Sequence, residues 1–267
     1  MGETTVRTGP PDFVGLGAQR AGTTWWYRTL VQHPSIRPAR GNKKELHFFD
    51  PFGVRPMHDL GIGRYHRLFP RRPGEICGEW TPRYIRDVWV PPLLRRAAPD
   101  AKLLLMVRDP IERYRSGVQH RLTRTPERRP EMLAADAVER GRYAVQLERF
   151  RRFFADEQIL VLQYEKCVRE TASEYRRTLR FLGVDDDEHE PQEVDRPRGT
   201  TTRHEKDLLW PDLYGALRAT LEPDVARLAE LVPELDLELW PNFAHLATGD
   251  LPLAEDPGWE LHAAAST

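Results

Sequence analysis

Cysteine is scarce in this chain: Cys77 and Cys167 are the only two in 267 residues. They lie too far apart for a disulfide framework or a Cys/His metal cluster, and their strand-like surroundings predict buried, reduced thiols. Charge of one sign is lacking as well, since 40 Lys and Arg face 41 Asp and Glu for a net charge of −1. No global field therefore draws the chain to nucleic acid or to an anionic membrane, and any anion site has to be local. Long apolar runs are absent too. The longest aliphatic stretch, Leu103-Leu104-Leu105-Met106-Val107, falls far short of the roughly 18 residues of a membrane helix. Met1-Gly2 opens the sequence, but Val6 stands where an N-acylation signal needs Ser or Thr. With no repeat, low-complexity tract or metal-ligand spacing, the expectation is a cytoplasmic protein with no membrane span, no nucleic-acid partner and no metal. Oligomeric state is not legible.

What is there is an alternation. Apolar or β-branched runs at Phe13–Leu16, Glu75–Trp80, Lys102–Val107 and Gln158–Gln163 are separated by helical patterns. Helices are predicted around 23–33, 87–98, 110–122, 131–155 and 171–182, with two more in 210–233. Strands alternating with helices predict an α/β fold with a parallel sheet and crossover helices. The chain is long enough to bury about three quarters of its unfolded surface as one domain. The predicted organisation is a flexible N-terminus over 1–12, a single domain over 13–247 and a loosely ordered tail over 248–267. The Pro-, Gly-, Lys- and Arg-rich stretch 35–72 is predicted to be mostly loop, over the carboxyl ends of the strands. A second loop is expected over Glu188–Lys206.

The segment Gly17-Ala18-Gln19-Arg20-Ala21-Gly22-Thr23-Thr24 follows the first apolar run and nearly matches the phosphate-binding loop G-x-x-x-x-G-K-[ST]. Both glycines and Thr24 are in register, but Thr23 occupies the lysine position. A strand, a glycine turn and a helix start still aim backbone N–H groups at an anion. The cation that clamps a triphosphate is missing, and Arg20 inside the loop displaces positive charge toward whatever the loop wraps. That suits a nucleotide with one 5′-phosphate and a short transferable group.

Two further segments carry chemistry. In Val107-Arg108-Asp109-Pro110-Ile111-Glu112, a buried strand runs into a helix with Asp109 as N-cap, Pro110 at the first helical position and Glu112 at the third. This fixes Arg108 at the strand's carboxyl end, with Ser116 two turns on, a pair suited to a second phosphate; the plainer alternative is an ordinary helix start. In Lys43-Lys44-Glu45-Leu46-His47-Phe48-Phe49-Asp50, a carboxylate beside two lysines can serve as a base. The alternative is a solvated turn anchored by Phe48 and Phe49.

The order G-A-Q-R-A-G-T-T-W, K-E-L-H-F-F-D, E-W-T-P-R-Y and R-D-P-I-E-R-Y-R-S resembles sulfotransferases that use 3′-phosphoadenosine 5′-phosphosulfate, above all the branch containing heparan sulfate sulfotransferases and bacterial relatives. The resemblance runs from about Phe13 to Trp240. It implies a P-loop-like three-layer fold with a central parallel β-sheet flanked by helices. It also implies 3′-phosphoadenosine 5′-phosphosulfate as sulfuryl donor, adenosine 3′,5′-bisphosphate as product, and no metal. Gln19, Arg20, Ala21, Gly22, Thr23, Thr24 and Trp25 inherit the 5′-phosphosulfate loop, with Arg20 where relatives usually carry Lys. Arg108 and Ser116 inherit the 3′-phosphate, and Arg198, Thr202 and Arg203 are candidates for a late closing loop. Glu45 inherits the role of base, with His47 as a second candidate. Lys44, His47, Trp80 and Arg83 are assigned to the acceptor, Trp80 standing where heparan-type members typically carry Lys.

The reaction so implied is in-line sulfuryl transfer to a hydroxyl or amine of an intracellular small-molecule, lipid or saccharide acceptor. Glu45 takes the proton while Arg20 and the loop stabilise the leaving oxygen. Two other readings stay open: a P-loop kinase or NTPase, disfavoured by Thr23 in the lysine position, and a non-catalytic nucleotide-binding protein of the same fold.

Overall fold

The computed structural model of the chain describes residues 5–124, 130–184 and 211–247. Its strands, in chain order, are β1 (Arg7–Thr8), β2 (Phe13–Gly17), β3 (Ile36–Pro38), β4 (Pro70–Arg71), β5 (Ile76–Trp80), β6 (Lys102–Val107) and β7 (Ile159–Gln163). Five form one sheet in the order β3-β5-β2-β6-β7, every neighbouring pair parallel. This is the expected α/β architecture. β2 is buried at every position and β6 at all but its first, which explains why they read as unbroken apolar runs rather than alternating ones. From β2 the chain first builds outward to β3 and β5, then crosses to β6 and β7 on the other side. The crevice at the carboxyl ends of β2 and β6 is therefore the switch point where open α/β sheets bind ligands.

The helices are α1 (Thr23–Leu30), α2 (Asp59–His66), α3 (Val90–Ala97), α4 (Pro110–Arg124), α5 (Pro130–Glu139), α6 (Tyr143–Arg151), α7 (Tyr164–Arg169), α8 (Thr171–Leu182) and α9 (Pro211–Leu231). Three expectations are corrected. Residues 7–12 are tied down: β1 pairs antiparallel with β4, and the Arg71 guanidinium reaches Asp12 at 2.7 Å and the Pro10 carbonyl at 2.9 Å. The 35–72 stretch is mostly loop as expected, with β3, β4 and α2 set within it. β3 is too short to show alternation, and its Pro38 is tolerated because the strand is at the sheet edge; α2 carries two glycines and is held by its buried Tyr65. The single helix expected over 131–155 breaks at Gly141. There α6 begins with the N–H groups of Ala144 and Val145 donating to the Asp224 carboxylate, a cap supplied from eighty residues away. Finally, α9 runs straight through Pro223 as one helix where two were expected.

Candidate active site

The loop after β2 begins with a register shift between Gly15 and Gly17, a bulge that turns the strand out of the sheet. The loop is then held from below by Ala18, whose N–H donates to the Met106 carbonyl at 2.7 Å. Arg20 takes φ 70° and Gly22 φ 88°. Gly22 is required twice over: its backbone is left-handed, and a Cβ there would lie 2.5 Å from the Tyr164 ring. α1 starts at Thr23 with no side-chain cap, so its first-turn N–H groups and the positive end of its dipole face the loop. Gln19 is half-buried, Ala21 and Thr23 are buried, and Thr24 is exposed. Trp25 turns inward, edge-on to Trp26 at 5.1 Å and to Tyr164 at 6.4 Å, so it braces the loop from behind.

β6 delivers the second cation. Asp109 caps α4 as the sequence predicts, its Oδ1 accepting from Ile111 N at 2.9 Å and Glu112 N at 3.2 Å. Its Oδ2 accepts from the Asn242 backbone and side chain, while its own N–H donates to Glu165, which in turn accepts from Trp240 Nε1 at 2.8 Å. Arg108 emerges from this lock with its guanidinium 5.0 Å from the Tyr164 ring centroid and Nη1 3.3 Å from the Arg20 carbonyl. Arg20 Nε donates to Ser116 Oγ at 3.1 Å. Loop and helix α4, nearly a hundred residues apart in sequence, thus meet in one cationic corner containing Arg20, Arg108 and Ser116. Tyr164, Glu165, Trp240 and Asn242 were not singled out in the sequence. Tyr164 alone had a local signal, since it directly follows a buried strand.

Opposite this corner stands the Lys44–Asp50 segment. Lys44 Nζ donates to Thr23 Oγ1 at 3.2 Å and to Glu45 Oε1 at 2.8 Å. Glu45 Oε2 lies 3.2 Å from His47 Nε2, and His47 Nδ1 lies 3.0 Å from Asp50. Burial raises the Glu45 carboxyl, but the His47 hydrogen bond and the Lys44 charge outweigh it and hold the group at about 2. Hydrogen bonds to Glu45 and then Asp50 push His47 upward, and burial pulls Lys44 downward.

The segment is positioned by Glu79, a fully buried carboxylate at the end of β5. It accepts from Tyr65 and Tyr84 hydroxyls, from Thr81 Oγ1 at 2.6 Å and from Leu46 N at 3.2 Å. Thr81 accepts in turn from Leu46 and His47 N–H, and Tyr84 from Phe48 N–H. Burial pushes the Glu79 carboxyl up to about 7 despite these donors. A carboxyl raised in the folded state stabilises below its ordinary value near 4.5, and that contribution fades as pH rises through 7. The native protein should therefore lose thermal stability between about pH 5 and 8, with Glu165, also raised to about 7 by burial, acting in the same direction. Glu79→Gln should flatten that slope in melting curves taken across the range; an unchanged slope would assign it to other groups.

The remaining candidates part company. Trp80 is fully buried, its ring filling the space above Gly15 and its Nε1 donating to the Gly17 carbonyl at 3.1 Å. It offers no face to an acceptor and is a core residue that fixes the loop's entry. Arg83 pairs with Asp87 at 2.6 Å and reaches Asp50 at 3.7 Å, so its link to Glu45 runs through Asp50 and His47. Arg198, Thr202 and Arg203 lie outside the described residues. Cys77 and Cys167 are free and buried. Among the described residues no helix is long and apolar enough to cross a membrane.

Comparison with known proteins identifies the family. The sulfotransferase domain family model matches residues 10–197. Heparan sulfate glucosamine 3-O-sulfotransferase 6 of Mus musculus is 32% identical over 197 residues, covering 67% of this chain and 55% of the mouse protein. The 3B1 form of that enzyme from Homo sapiens is 29% identical over 188 residues, 65% of this chain and 46% of its own. The chain thus spans about half the length of the curated relatives it matches. Among solved structures, a sulfotransferase from Alicyclobacillus acidocaldarius superposes with TM-score 0.67 at 28% identity, covering 87% of this chain and 99% of that one. A Mycobacterium avium sulfotransferase, TM-score 0.54 at 15% identity over 84% of this chain and 77% of its own, shares the fold. With the family model spanning most of its length, this chain belongs to the sulfotransferase family.

Proposed function

We propose that the protein transfers a sulfuryl group from 3′-phosphoadenosine 5′-phosphosulfate to a hydroxyl or amine of a small-molecule, lipid or saccharide acceptor. The observation that carries this reading is the meeting of Arg20, Arg108 and Ser116 beside an uncapped helix start. Two cations and a hydroxyl set around a glycine loop fit a nucleotide with anionic groups at both its 5′ and 3′ positions. The co-substrate supplies the sulfuryl group. The loop N–H groups and Arg20 orient its 5′ end and hold the negative charge that develops on the leaving phosphate oxygen. Glu45 accepts the acceptor's proton as the new sulfur–oxygen or sulfur–nitrogen bond forms and the bond to the 5′-phosphate oxygen breaks. His47 and Asp50 keep Glu45 oriented.

The acceptor class rests on charge. A net charge of −1 is a poor match for a long polyanion, which would need an extended basic groove. A compact acceptor is favoured over an extended polysaccharide.

The nucleotide assignment has a direct test. Arg108→Ala should weaken adenosine 3′,5′-bisphosphate by about tenfold to a hundredfold, the value of a charge-assisted contact, while leaving adenosine 5′-monophosphate nearly unaffected. Calorimetric titration of both nucleotides reads this out. Equal weakening would detach Arg108 from the 3′-phosphate, and tighter binding of Mg-ATP than of the bisphosphate would favour the kinase reading.

A further inference from the structure

Thr23 stands where a triphosphate-binding loop carries its lysine, and the structure places an ammonium on that very hydroxyl: Lys44 Nζ, 3.2 Å from Thr23 Oγ1. The charge absent from that position is returned by a residue twenty-one positions downstream. The same ammonium lies 2.8 Å from Glu45 Oε1, and Lys44 retains only 14% of its side-chain exposure. Its backbone is pinned by Trp80, whose N–H donates to the Lys44 carbonyl at 2.8 Å. The groups that bear on the ammonium are therefore Glu45 and Thr23, with Arg28 opposing it at longer range.

Resting on the sulfotransferase reading, we propose that Lys44 is a donor-side cation shared between the glycine loop and Glu45, so that an anion arriving at the 5′ position draws it off the carboxylate and releases Glu45 to act as base. This moves Lys44 from the acceptor side, where the sequence places it, to the donor side. A single ammonium cannot fully serve two anions in a half-dry site, so each partner weakens its hold on the other. The arrangement also accounts for a carboxylate that is tightly compensated before the donor is present. In that state Glu45 is a weak base, and a catalytic base gains strength as its counter-charge leaves. Donor binding and base activation become one event, which disfavours proton abstraction from an acceptor that arrives first.

Binding measurements with product nucleotide test this without knowledge of the acceptor. Lys44→Met should weaken adenosine 3′,5′-bisphosphate by about tenfold or more and leave adenosine 3′-monophosphate, which lacks the 5′ group, unchanged. Lys44→Arg should keep most of the bisphosphate affinity. Glu45→Gln removes the competitor and should tighten the bisphosphate by about threefold to tenfold. In the Lys44→Met, Glu45→Gln double variant that gain should vanish, since the two changes act on one interaction. Unchanged bisphosphate affinity in Lys44→Met, equal weakening of both nucleotides, or an undiminished gain in the double variant would overturn the sharing of Lys44 while leaving the sulfotransferase reading in place. Failure of the native protein to bind the bisphosphate at all would overturn both.

Discussion

Glu45→Gln is expected to lower sulfuryl-transfer turnover by about a hundredfold or more, the scale of lost general-base catalysis, with nucleotide affinity preserved or improved. Glutamine keeps the size and most of the hydrogen bonding of the carboxylate, so Lys44 Nζ at 2.8 Å and His47 Nε2 at 3.2 Å still find an acceptor oxygen or an amide to contact. What disappears is the ability to take a proton. A steady-state assay following bisphosphate release should show the loss in kcat, with the KM for donor flat or lower. If turnover survives in Glu45→Gln but collapses in His47→Ala, the base is the imidazole, which its two carboxylate neighbours hold in place from both sides. Loss in both variants, with Glu45→Gln the more severe, fits His47 as the residue that orients Glu45.

The second large effect concerns stability. Trp80→Ala should destabilise the fold by about 3–5 kcal/mol, the range for deleting a fully buried tryptophan. In a domain of this size that lowers the melting temperature by about 10 °C. The ring sits against Gly15 so closely that a Cβ on Gly15 would lie 2.0 Å from it, and no neighbour can fill the space except by moving β2. Trp80→Lys, which installs the residue that the family resemblance leads one to expect here, should be at least as damaging, because it leaves a cavity and places an ammonium where no solvent reaches. Thermal melts of the two variants decide the matter. A Trp80→Lys protein that melts like the native one and gains activity would show that the position belongs to the acceptor site after all.

Trp80 also marks the boundary of what the sequence makes legible. A glycine loop between a strand and a helix is a local device, set by residues within one turn of each other, and the fold class follows from alternation alone. The strand–cap–helix unit at Val107–Glu112 is equally local, and Asp109 caps α4 where expected. Whether a large aromatic at a strand end faces solvent or sinks into the core depends on what stands opposite, here a glycine sixty-five positions earlier that pattern reading has no means of pairing with it. The same holds for the buried carboxylate of Glu79, which looks like an ordinary member of its motif and becomes the hub of the Lys44–Phe48 segment only when Tyr65 and Tyr84 fold over it. The break at Gly141 and the unbroken α9 escaped notice for a related reason, since Asp224 both sits inside one helix and caps the start of another.

The bond from Asn242 to Asp109 spans 133 residues, and this distance governs the order in which the protein comes to life. A ribosome emits the loop, the base and the cationic strand end well before the residues that lock Arg108 in place. Contacts of such wide separation form late because closing a long loop costs entropy that only the finished packing returns. A nascent chain that has not yet released Trp240 and Asn242 therefore holds the glycine loop, Glu45 and Arg108 without the frame that aims them, and completes its nucleotide corner only after both have emerged.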